Sequence, residues 1–157
     1  MALSQADMAP TIAASAAQED LRLARLSRIC LALPDTGRNV RGDYADFRVR
    51  GMVFAYFLDN HHGDGIVSVC CKSELGEHID RARREPRRFY LPAYIGARGW
   101  FGLRLDRGKI NWNEVQNIVE LSYRLVAPKT LVRKLDAPPA EPKRRKRATK
   151  AQPSAGA

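Results

Sequence analysis

Apolar residues recur every three or four positions over residues 19 to 33. Leu23, Leu26, Cys30 and Leu33 share one face, and Arg22, Arg25 and Arg28 fall mostly outside it. The spacing predicts a helix. Pro34 ends it, because a proline ring disfavours helical geometry in the residue before it. The period then drops to two. In residues 44 to 50, Phe47 and Val49 alternate with Arg48 and Arg50, which predicts a half-buried strand. Gly51 marks a turn, MVFAYFLD reads as the return strand, and NHHGDG reads as a polar loop. IVSVCC, residues 66 to 71, reads as a third, well-buried strand, so this block predicts an antiparallel meander.

A helical period returns in SELGEHIDRARREP, with Ser73 as its expected N-cap and Leu75, Ile79 and Ala82 as a narrow apolar stripe. Glu74 and Glu77 stand near its start and Arg81, Arg83 and Arg84 near its end, the order that suits a helix dipole. Pro86 ends this helix. WFGLRLD, residues 100 to 106, alternates as a strand. Asn111 and Glu114 resemble a capping box before a helix over residues 112 to 126, whose inner face is Val115, Ile118, Val119, Ser122 and Val126. The predicted order is helix, three strands, helix, one or two strands, helix. That order implies an α+β two-layer sandwich, with an antiparallel sheet and helices on one face. Residues 1 to 18 read as a disordered or weakly helical arm and residues 19 to 135 as the folded domain. Residues 136 to 157 read as a disordered tail with too little apolar bulk to repay folding entropy.

Charge narrows the partners. The 157 residues carry 27 Lys and Arg against 17 Asp and Glu, a net charge of +10, which favours polyanions. From Glu141 onward six cations, Lys143, Arg144, Arg145, Lys146, Arg147 and Lys150, face one acid. A basic block of this kind binds polyanions without sequence preference. In RARREPRR, Arg81, Arg84, Arg87 and Arg88 cluster at a helix exit, and with Arg98 they are expected to point outward as phosphate contacts. Lys129 extends that face. Trp100 and Phe89 are expected in the core, and the Tyr94 hydroxyl is expected to fold back onto backbone rather than offer its ring to a base.

Other chemistries find less support. Three cysteines, two of them adjacent, suit buried reduced thiols in a cytoplasmic protein better than a disulfide framework. His61, His62 and Asp64 are metal-ligand types, but adjacent loop residues point in different directions and no third ligand is near in sequence. No partner activates Cys70 or Cys71 as a nucleophile, and neither a P-loop nor a GxGxxG is present. These readings favour no enzyme, no cofactor, no metal and no membrane span.

Five stretches together resemble the MmcQ/YjbR family: ALPDT, FRVRGMVFAYF, DNHHGDGIVSVCCK, RRFYLPAYIGARGWFGLRLD and WNEVQNIVELSYRLVAPKTL. They span about residues 22 to 131. The resemblance implies a compact fold of the CyaY-like or secretion-chaperone-like kind. It also implies a DNA-binding role attributed to a double-wing arrangement, and it brings no catalytic residues. The family's usual lysine after the hairpin glycine is Met52 here, and the basic tail is an addition. The expected function is therefore that of a small non-enzymatic DNA-binding protein, nucleoid-associated within the cytoplasm. The alternative is an adaptor whose open sheet face holds a protein partner or a second copy.

Overall fold

The computed structural model describes residues 19–138. The expected N-terminal arm, and the tail from residue 139 onward with its cations, lie outside the described residues.

Asp20 begins the first helix, α1 (Leu21–Leu31), where its carboxylate accepts from the Arg22 backbone N–H at 2.8 Å. Leu23, Leu26 and Cys30 are buried, as their spacing predicts. The first strand, β1 (Thr36–Arg41), was not predicted. Five of its six residues are exposed, so it shows no apolar alternation. It pairs with β2 (Tyr44–Val49), which turns into β3 (Met52–Asp59) through Arg50 and Gly51. Both turn residues have positive φ, 49° and 79°, as a right-twisted two-residue hairpin requires. β4 (Val67–Lys72) completes the meander, which has four strands rather than three.

The next helix, α2 (Glu77–Arg84), starts later than expected. Gly76 precedes it at a positive φ, and no side chain caps it. Ser73, the expected cap, is instead buried at the end of β4, where its N–H donates to the Gly99 carbonyl at 2.9 Å. The expected inner stripe is also corrected. Leu75 is 80% exposed, whereas His78 is buried, because α2 turns its His78–Arg81–Ala82 side inward. Two strands follow, β5 (Phe89–Tyr90) and β6 (Trp100–Arg104). Asn111 caps α3 (Trp112–Val126), its carbonyl accepting from the Asn113 and Glu114 N–H groups. The Glu114 side chain does not reach back to complete the capping box and bonds Arg88 instead. Beyond the last predicted helix, Pro128 opens a further one, α4 (Lys129–Asp136), whose Leu131 reaches the core. A proline suits a helix start, because no intrahelical bond needs its missing N–H.

The six strands form one antiparallel sheet in the order β1-β2-β3-β4-β6-β5. The core lies between the helices and one sheet face, where Phe47, Phe57, Val69, Phe101 and Leu103 meet Leu26, Val119 and Tyr123. A register shift after Phe47 leaves Phe54 without a strand partner. Ser122 repairs it: the hydroxyl donates to the Phe54 carbonyl at 2.6 Å and accepts from the Lys72 N–H at 2.9 Å. The expected α+β sandwich with helices on one face is the observed fold. Its other sheet face carries Tyr44, Tyr56, Ser68, Cys70, Tyr90 and Trp100.

Candidate nucleic-acid interface

Residues 19–138 contain 21 Lys and Arg against 15 Asp and Glu, so the folded unit is itself basic. What matters for phosphate is which of these cations is free. Arg84, Arg87, Arg98 and Lys129 are exposed, and none makes an ion pair among the described residues. The carbonyl of Asp80, 3.4 Å away, steadies Arg84.

Two members of the expected set behave differently. Arg81 does not point outward. Its guanidinium carbon lies 4.8 Å from the Phe101 ring centroid and 5.3 Å from that of Phe89. Its Nε is buried without a hydrogen-bond partner among the described residues. The ring faces help to hold this charge. Arg88 is clamped between Glu85 at 2.8 Å and Glu114 at 2.5 Å, and these bonds raise its pKa. It braces β5 against the first turn of α3.

Nor do the free cations make one expected face. Arg84 and Arg87 sit where α2 exits, at the end of the sheet where Arg88 meets α3's first turn. Arg98 precedes Gly99, which bonds Ser73 past the end of β4, and Lys129 follows the other terminus of α3, so both belong to the opposite end. Near the first group, Arg25 stacks 4.9 Å over Trp112 and lines a hollow with Lys109, Asn111 and Asn113. Neither Arg25 nor Lys109 stood out in the sequence, because neither lies in a charge run.

The open sheet face holds a second feature that the sequence did not reveal, a cleft of about 470 Å³. Its floor is Tyr56 and Tyr90. Tyr90 lies opposite Gly102 on β6, and a Cβ there would stand 2.3 Å from the tyrosine ring, so only glycine lets the ring lie flat. The Tyr90 hydroxyl is 2.7 Å from Ser68 Oγ. Along one wall the rings of Tyr44, His61, His62 and Tyr94 follow one another, with centroids 5.3, 4.0 and 5.7 Å apart. The paired histidine rings thus lie side by side instead of diverging. Tyr94 is 85% exposed with φ of 68°, and the expected return of its hydroxyl to backbone is not seen.

His61 Nδ1 is 3.0 Å from the Asp43 carboxylate, and Asp64 accepts from the Ile66 N–H at 2.9 Å. Among the described residues no three His, Cys, Asp or Glu groups are placed to hold a metal ion. All three thiols are free and buried. Burial pushes the Cys70 thiol up to about 11 and raises those of Cys30 and Cys71, which disfavours the nucleophilic thiolate. No helix among the described residues is long and apolar enough to cross a membrane.

Comparison with known proteins places this architecture. No curated protein matches the chain. A crystal structure of the Deinococcus radiodurans protein DR2400, described as having a DUF419 domain, has the same fold with a TM-score of 0.57 and 17% identity. The likeness covers 74% of this chain and 88% of that one. The family model described as YjbR matches residues 31–125, from the end of α1 almost to the end of α3. More than half of the chain lies within that match, and the chain belongs to the YjbR family.

Proposed function

We propose that this protein is a small non-enzymatic DNA-binding protein, nucleoid-associated in the cytoplasm, that holds phosphates by charge without reading sequence. The observation that carries the reading is the exposed, unpaired Arg84 and Arg87 at the exit of α2, on a fold already net positive without its tail. Arg25 and Lys109 add cations at the same end, beside the N-terminus of α3, whose dipole favours anions. Arg98 and Lys129 supply further contacts at the opposite end. The tail residues Lys143, Arg144, Arg145, Lys146 and Arg147 supply phosphate affinity that needs no folded partner. Arg81 and Arg88 serve the scaffold rather than the ligand.

Fluorescence anisotropy with a labelled duplex, at low and at physiological salt, tests this reading. Dissociation constants in the micromolar range or weaker are expected at physiological salt, tightening steeply as salt falls. Sequence-scrambled duplexes should bind alike. Binding that ignores salt, or no binding at low salt, would contradict the proposal.

A further inference from the structure

We infer that the cleft on the open sheet face is a binding site for an organic cation, an ammonium group carrying apolar substituents. The walls offer what such a group needs. Tyr44, Tyr56, Tyr90 and Tyr94 present aromatic rings to a cavity of about 470 Å³, a volume suited to a small molecule. The faces of such rings attract cations and also accept apolar contact.

Local charge makes the choice. On a protein of net charge +10, no Lys or Arg lines this cleft, while Asp64 does. A second carboxylate, Asp43, stands behind His61. Two arginines on this sheet face are already neutralised, Arg48 by Asp46 at 2.8 Å and Arg104 by Asp106 at 2.8 Å. A phosphate-bearing ligand would meet a carboxylate here with no Lys or Arg on the lining to offset it. The site is therefore distinct in chemistry from the basic end of the sheet. His62 and Tyr94, which flank each other on the wall, both hold left-handed backbone at φ of 59° and 68°. Such conformations cost energy and concentrate where a structure positions side chains for a ligand. Burial raises the Tyr56 and Tyr90 pKa values, so the floor stays neutral phenol.

Trp100, with its ring 5.2 Å from that of Tyr56, reports on the cleft, and Trp112 lies on the helix side beside Arg25. Trp112→Phe in the full chain leaves Trp100 as the single tryptophan. Titration at about pH 8 with choline should give a saturable change in its emission. The uncharged carbon isostere, dimethylbutanol, should bind about ten-fold more weakly. Adenosine monophosphate should not compete. Asp64→Asn keeps the oxygen that accepts from Ile66 and removes the charge, so it should weaken choline several-fold with unchanged thermal unfolding. Tyr56→Phe should retain binding and Tyr56→Leu should lose it. Equal affinity for choline and its isostere would overturn the inference, as would no saturable signal or preferential binding of the nucleotide.

Discussion

Ser122 closes two backbone groups that the sheet leaves open, the Phe54 carbonyl at the bulge and the Lys72 N–H at the end of β4. It is fully buried, so no water replaces it. Ser122→Ala should therefore cost about 2–4 kcal/mol, because each unmet buried group forfeits its solvation. Urea unfolding measures this, and a loss below about 0.5 kcal/mol would show that the bulge rearranges. Asp20 offers a second residue-level test. Its bond with the Arg22 side chain is the main cause that lowers its pKa from 3.8. A lowered folded pKa means that the charge stabilises the fold above about pH 4 and that this contribution vanishes as acid protonates the carboxyl. Asp20→Asn keeps a cap acceptor and removes the titration. The wild-type protein should exceed this variant by about 0.5 kcal/mol near neutrality, and the two should converge as acid protonates the carboxyl. A difference independent of pH would assign the effect to the cap bond alone.

At the scale of elements, legibility followed burial. α1, β2, β3, β4 and α3 each bury one side against the core, so each left a period in the sequence. β1 is an edge strand with nothing to bury, and only its pairing with β2 makes it a strand. β5 is two residues long, too short for any period. α2 lies in the expected stretch but starts later and faces differently, because Leu75 and Ile79 suggest an inner face that His78 and Arg81 occupy. The β2–β3 hairpin was read from Gly51, and that reading has an energetic consequence. At φ of +79° a Cβ is strained even though nothing lies within 4 Å of it. Gly51→Ala should destabilise the fold by about 1–2 kcal/mol. Gly37→Ala, in the edge strand with ordinary φ and open space around it, should be neutral or slightly stabilising. Equal effects at the two sites in thermal unfolding would refute the hairpin geometry.

For the molecule as a whole, net charge and fold were legible, but the arrangement of charge was not. The stretch RRFYLPAYIGARGWFGLRLD illustrates why. It mixes arginines and aromatics as a nucleic-acid platform does, yet it supplies β5, β6 and one wall of the cleft. Phe89 takes its expected core place and, with Phe101, draws Arg81 inward, whereas Trp100, also expected in the core, is buried on the other face of the sheet beside Tyr56. The cleft itself was invisible, since its walls come from β2, β3, two loops and β5, and no short window contains more than a fragment. Phosphate binding depends on which arginines remain unpaired after folding, and here those at the α2 exit do. The most direct test is the salt dependence of duplex binding by the full chain, compared with Arg84→Gln/Arg87→Gln. Each phosphate contact contributes about 0.9 to the slope of log affinity against log salt, so the double variant should lose about 1.8 from that slope. An unchanged slope would show that these two arginines do not touch phosphate, and the proposed interface would be wrong.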